Sequence, residues 1–146
     1  MKKEMQLEFD ANSENEALAR VVIAAFVTNA DPTLDEIQDV KTAVSEAVTN
    51  AIIHGYQKQP EGKVCMKARF EDNRLEIDVI DKGVGIADVA QAMQPLYTSK
   101  PEEERSGMGF SFMEAFMDEL SVESEPGAGT RVHMEKQIKS GENRLR

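Results

Sequence analysis

The sequence has no tryptophan, one cysteine, two histidines and only 5% aromatic residues in 146 positions. Each shortage excludes something. A single thiol, Cys65, permits no internal disulfide, and one cysteine with two histidines falls short of a standard structural zinc site. Cys65 lies in an alternating stretch and is expected to be an inert core thiol. Few aromatics leave the packing to aliphatic side chains and eight methionines, which make an adaptable core rather than a stiff one. No apolar run approaches membrane-spanning length, and MKKEMQLEF at the N-terminus lacks the apolar stretch of a secretory signal, so the chain reads as cytosolic. Basic residues are also scarce: 17 Lys and Arg face 27 Asp and Glu, a net charge of −10. That surface repels nucleic acid and anionic membrane, so neither is an expected partner. A polyanionic ligand would need a local exception made of glycine-loop amides, a metal ion and one or two placed cations.

What is present reads as one globular domain over residues 1–138, followed by a polar tail over 139–146. Met5–Asp10 alternates as a strand with Met5, Leu7 and Phe9 on one face. Ser13 with Glu16 has the form of a capping box and opens a helix over Glu14–Asn29, broken by Asp31-Pro32. Thr33 with Glu36 opens a second, longer helix whose apolar stripe runs through Ile37, Val40, Val44, Ala47, Val48, Ala51 and Ile52 to a stop at Gly55. Lys63–Glu71 and Arg74–Ile80 alternate on either side of Asp72-Asn73, a hairpin signal. A short helix over Asp88–Met93, a charged loop over Leu96–Ser106, a helix over Gly107–Glu119 and strands at Leu120–Glu125 and Thr130–Ile138 complete the chain. Strands and helices are segregated into runs. This predicts an α/β (α+β) two-layer sandwich, a mixed, mostly antiparallel sheet with helices on one face, and not a doubly wound fold.

Three segments carry chemistry. Glu46 and Asn50 are one helical turn apart and share a face. A carboxylate beside an amide oxygen suits a hydroxyl or water acceptor next to Mg²⁺, which needs few protein ligands beyond phosphate oxygens. The same pair also fits a solvated polar face. Asp81-Lys82-Gly83-Val84-Gly85 follows an apolar strand. Asp81 there, held at the sheet edge, is placed to accept from an exocyclic amine such as that of adenine, and the two glycines allow close backbone approach. An ordinary glycine turn closed by an aspartate has the same pattern. Arg105-Ser106-Gly107-Met108-Gly109 leads into a helix, where free amides make a phosphate cradle with a cation at its lip. A flexible loop before a helix is the plain alternative. The segment is neither a Walker loop nor a dinucleotide fingerprint, because the GK[ST] ending and the βαβ context are missing.

In this order and on these elements, the three segments resemble the boxes of the GHKL superfamily of ATPases and kinases, which has a Bergerat-type ATP-binding fold. The runs SEAVTNAIIHGY, DKGVGI, PLYTSKPEEERSGMGFSFMEAFMDE and VESEPGAGT are similar to those of the anti-sigma F factor family of dimeric serine kinases. That resemblance implies binding of ATP or ADP with Mg²⁺. It implies Glu46 as general base, Asn50 as the Mg²⁺ ligand and Asp81 as the reader of adenine. Gly83, Gly85, Ile86, Thr98 and Thr130 would line the nucleotide, Ser106, Gly107, Met108 and Gly109 would hold phosphate, and Arg105 would stabilise the γ-phosphoryl charge. Leu96–Arg105 would be the lid over ATP. His54 is a phosphate contact or a solvated helix-end residue. Arg20 corresponds to an arginine that docks both protein partners, a sporulation sigma factor and an anti-anti-sigma protein phosphorylated on serine, and the chain would form a homodimer.

Two rivals belong to other classes. One is a non-catalytic, nucleotide-dependent binding module, against which Glu46 counts. The other is a hydrolytic GHKL ATPase, which is expected to need a further domain supplying a lysine to the γ-phosphate. The histidines do not resemble phosphoacceptors, which counts against a complete histidine kinase.

Overall fold

Alternation decides the sheet. The computed structural model describes residues 2–56, 61–94 and 109–139. Among them five strands form one sheet in the order β1-β2-β3-β5-β4, with β1 Lys2–Asp10, β2 Lys63–Glu71, β3 Arg74–Asp81, β4 Glu119–Glu125 and β5 Gly129–Gln137. The sheet was expected to be mixed, mostly antiparallel. Every pairing among the described residues is antiparallel. Every second residue faces inward, so Phe9, Val64, Met66, Ala68, Phe70, Leu75, Ile77, Val79, Val132 and Met134 are buried against the helices. Between β2 and β3, Asp72 and Asn73 both hold positive φ (52° and 64°), the backbone of a tight type I′ hairpin.

The helices cover that inner face. α1 Glu14–Val27 buries Ala19, Ile23 and Val27, and α2 Leu34–Asn50 buries Val40, Ala43, Val44, Ala47 and Val48. α3 Val89–Ala92 is a single turn, capped by Asp88 Oδ1 accepting from the Gln91 amide at 3.0 Å. α4 Gly109–Phe116 buries Gly109, Phe110 and Met113. Met66, Met113, Met117 and Met134 all lie in the core, filling the gaps that scarce aromatics leave. Each such side chain contributes about 1.5–3 kcal/mol by leaving water.

One capping box forms and the other does not. Thr33 Oγ1 accepts from the Glu36 amide at 3.1 Å while Glu36 Oε1 accepts from the Thr33 amide at 2.9 Å. At the start of α1, Ser13 has helical angles (φ −62°, ψ −25°) and makes no side-chain cap bond. Glu16 is diverted instead: its Oε1 accepts from Ser45 Oγ on α2 and lies 3.4 Å from Arg20 Nε. Tertiary contact outcompetes the local cap. α1 also stops at Val27, two residues short of the expected end, and a 3-10 turn over Thr28–Ala30 leads to Asp31 in the left-handed region. α2 proper stops at Asn50. The chain continues to Gly55 as a π-helical turn, closed by the Tyr56 amide on Ala51 O at 3.0 Å.

Cys65 is not in the core. Val64 and Met66 take the inner face, so the alternation turns Cys65 outward, where it is half-buried among Lys67, Glu8 and Asp78. Burial pushes its thiol pKa up, which favours the protonated form. The outer face also carries a charged network. His133 bonds Asp78 at 2.7 Å and Glu135 at 2.9 Å, Arg131 pairs with Asp78 at 3.0 Å and Arg74 with Glu135 at 2.6 Å.

Candidate functional site at the end of the central strand

Asp81 closes β3, the middle strand of the sheet, and is only 6% exposed. It was expected at a sheet edge; it lies instead at the end of the central strand, with β2 and β5 on either side. The backbone folds tightly around it. Its Oδ1 accepts from the Gly83 amide at 2.9 Å. A Cβ on Gly55 would lie 2.7 Å from its Cγ, and a Cβ on Gly83 would lie 1.9 Å from Gly55 O. That same carbonyl accepts from the Val84 amide at 2.8 Å. The π-helical turn and the glycine loop therefore interlock, which only glycine permits at both points. Burial raises the Asp81 pKa above its ordinary value, opposed by the amides of Gly83 and Thr130.

Two further residues, not among the expected site residues, hold this loop. Tyr56 Oη accepts from the Lys82 amide at 2.7 Å and donates to Lys63 O at 2.6 Å. Ser124 Oγ accepts from the Ile86 amide at 2.7 Å, donates to Gly129 O at 2.9 Å and meets Thr130 Oγ1 at 2.8 Å. A weaker signal for Ser124 exists: it extends the inward stripe of Leu120 and Val122, so it is a polar side chain on an apolar face. Gly85 holds φ 77°, and its missing Cβ would fall 2.0 Å from Glu125 O. Thus Gly83 and Thr130 meet Asp81 directly, and Gly85 and Ile86 are held beside them through Glu125 and Ser124.

The second half of the site lies on α2. Glu46 and Asn50 are half-buried and one turn apart. Gly109, first residue of α4, sits on both. A Cβ there would lie 3.2 Å from Glu46 Oε2, 3.2 Å from Asn50 Nδ2 and 3.4 Å from Asn50 Oδ1. The helix start is therefore brought to the carboxylate–amide pair. His54 is half-buried in the π-helical turn that links this pair to Gly55. Thr98, Arg105, Ser106, Gly107 and Met108, with the lid segment, lie outside the described residues. Arg20 is apart from the site, exposed on α1.

Among the described residues, one metal-like cluster occurs elsewhere. Ligand atoms of Glu76, His133 and Glu135 on the outer face lie within 4.8 Å of one another. Arg74 and Arg131 already neutralise the carboxylates around it, and both imidazole nitrogens are engaged. The group is an ion-pair network.

The chain matches the family model described as histidine kinase-like ATPase domain over residues 9–136. It is 58% identical over 134 residues to the anti-sigma F factor of Clostridium beijerinckii, covering 92% of this chain and 94% of that one. It is 57% identical over 138 residues to the anti-sigma F factor of Geobacillus kaustophilus, with 94% of each covered. The chain belongs to the anti-sigma F factor family. Among solved structures, the RsbU and RsbW domains of a Mycobacterium tuberculosis protein superpose with a TM-score of 0.68 at 20% identity, over 93% of this chain and 32% of that chain. The catalytic domain of histidine kinase ThkA superposes at 0.57 and 16% identity, over 92% and 96%. At those identities the likeness shows the fold, and it is the fold of the histidine kinase-like ATPases. Membership in the anti-sigma F factor family thus agrees with a five-stranded antiparallel sheet covered on one face by helices. Among the described residues no helix is long and apolar enough to cross a membrane.

Proposed function

We propose that this chain is an ATP-dependent serine kinase that also sequesters a sigma factor. The observation that carries the kinase reading is the convergence of Glu46, Asn50 and the α4 N-terminus on one point, with the buried acceptor Asp81 beyond it. Asp81 accepts from the adenine amine, while Gly83, Gly85, Ile86 and Thr130 line that end. Gly109 and the preceding Ser106, Gly107 and Met108 donate backbone amides to phosphate. Thr98, Arg105 and His54 complete the nucleotide contacts, with Arg105 on the γ-phosphoryl group.

Asn50 is the residue this chain offers to Mg²⁺. Its amide oxygen suits a hard cation, and the side-chain-free Gly109 leaves room in front of it. When bound, the ion neutralises phosphate charge. Glu46 takes the proton of the acceptor serine hydroxyl. The serine oxygen then bonds to the γ-phosphorus as the β–γ bridging bond breaks, and ADP leaves. Positioning and charge do most of such a reaction, so this sparse set suffices.

The relatives' name supports a sigma factor as partner, and the net charge of −10 favours a basic one. The resemblance extends to an anti-anti-sigma protein as the serine substrate and to pairing with a second copy of the chain. The test is incubation with labelled ATP and a serine-bearing partner. Wild type transfers label to serine, and Glu46→Gln binds ATP but transfers about 10²–10⁴-fold more slowly. Full transfer by the variant removes Glu46 as base. ATP binding without transfer by wild type leaves a binding module.

A further inference from the structure

α1 and α4 both pack against α2, and consecutive α2 residues address them: Ser45 bonds Glu16 on α1, while Glu46 packs on Gly109 of α4. Glu16 is the junction. One of its oxygens, Oε1, accepts from Ser45 Oγ and also faces Arg20 Nε at 3.4 Å. Glu16 is largely shielded, its side chain 20% exposed, whereas that of Arg20 is 44% exposed. Arg20 stands between Leu18 and Val21, 44% and 66% exposed, two of the few large apolar side chains left in water. A cation flanked by exposed apolar groups is a surface suited to a partner that presents one carboxylate among apolar side chains, whatever the partner's overall charge.

We propose that Glu16 is a positioning residue that couples occupancy of this α1 face to the placement of Glu46. A partner carboxylate that engages Arg20 competes with Glu16 for the guanidinium. Glu16 then answers to Ser45 alone, and the hydrogen bond to Ser45 strengthens. The buried side chains Val44, Ala47 and Val48 pin the inner side of α2. Ser45, Glu46 and Asn50 lie together on its half-buried side, so a change at Ser45 passes to Glu46 without repacking the core. The protein that docks on α1 thereby adjusts the carboxylate at the nucleotide site through three side chains. This rests on the reading of Glu46 as the base.

The test uses the full chain in two measurements. In phosphotransfer, Ser45→Ala should lower kcat about tenfold with KM and ATP affinity within about twofold, since a displacement well under 1 Å costs less than the 10²-fold of a full ångström. Glu16→Gln keeps an acceptor for Ser45 and should retain most of that rate while losing the hold on Arg20. The effects of Arg20→Ala and Ser45→Ala should be non-additive with Glu16 present and additive in Glu16→Gln. Unchanged kcat in Ser45→Ala, or additivity in both backgrounds, overturns the proposal. The second measurement needs no activity: the Glu46 side-chain carboxyl resonance, assigned by its loss in Glu46→Gln, should move in Arg20→Ala and move less when Ser45→Ala is already present. A resonance indifferent to Arg20 overturns the coupling. A resonance that responds in a chain that transfers no phosphate upholds the coupling and sinks the kinase reading alone.

Discussion

Gly109 and Glu46 are packed so closely that a Cβ on the glycine would stand 3.2 Å from the carboxylate Oε2. Asn50 Nδ2 would be at the same 3.2 Å. A methyl group there forces both side chains to give by a few tenths of an ångström. Gly109→Ala should therefore lower phosphotransfer about tenfold, since misplacement of this kind is costly in rate. Gly109 opens α4, where the interior helix preference of alanine over glycine does not act in full, so the thermal midpoint should change little. Parallel kcat and melting measurements check this; an unchanged kcat would show that Gly109 does not set the position of Glu46.

Asp81 supplies a buried acceptor at the end of β3. Asp81→Asn keeps the shape and removes the charge. Hydrogen bonds to charged groups contribute about 1.5–3 kcal/mol, so ATP affinity should fall roughly 10–150-fold by that measure. Calorimetric titration with ATP and GTP reads it. Equal loss for both nucleotides would argue that Asp81 does not recognise the adenine amine.

Gly83 meets Gly55 backbone to backbone. A Cβ at position 83 would fall 1.9 Å from Gly55 O, and no rotamer relieves a clash with a carbonyl. Gly83→Ala should cost about 1–3 kcal/mol in urea unfolding, the range for overpacking, and should weaken nucleotide binding as well. Wild-type stability would mean that the interlock between the π-helical turn and the loop is loose.

The outer-face network makes a pH prediction with a definite sign. Burial opposes the charged form of His133, but bonds to Glu135 and Asp78 outweigh it and hold the pKa above the ordinary 6.5. Its contribution is fully present below 6.5 and is lost as pH rises through the raised folded value. Glu135 runs the other way. Its bond to His133, with Arg74 in support, lowers its pKa below 4.5, so its contribution is full above 4.5 and lost as pH falls through the lowered value. Asp78, Glu76, Arg131 and Arg74 face the same pair. The cluster should stabilise most between pH 4.5 and 6.5. Chemical denaturation across pH, wild type against His133→Gln, should differ most in that window; parallel curves would show the network to be inert.

Much of the fold is legible in the residues themselves. The hairpin at Asp72-Asn73 needs only two residues that tolerate positive φ. The Thr33 box needs a threonine and a glutamate three apart. The inward stripes of β2 and β3 need only the period of two. Even the outward turn of Cys65 follows from that period, once Val64 and Met66 are recognised as the core pair. Glu46, Asn50, Asp81 and Gly109 stand out by residue type and order, because they are polar or glycine at positions where packing alone would choose apolar side chains.

What one-dimensional pattern leaves open is every choice between a local and a distant partner. Ser13-x-x-Glu16 is a sound cap on paper, yet Glu16 turns to Ser45, 29 residues away, because α2 packs alongside. Asp81 has the pattern of a strand-end aspartate at an edge, and its burial arises from strands on both sides and from Gly55 pressed on its carboxyl. The bonds that Tyr56 and Ser124 make form only once the elements they join are adjacent. Periodicity, turns and caps are set within a few residues by sterics and hydrogen bonding, so the sequence alone determined them. Burial, competition for a side chain and the meeting of Glu46 with Gly109 depend on which segments share a place, and packing of the whole chain decided those.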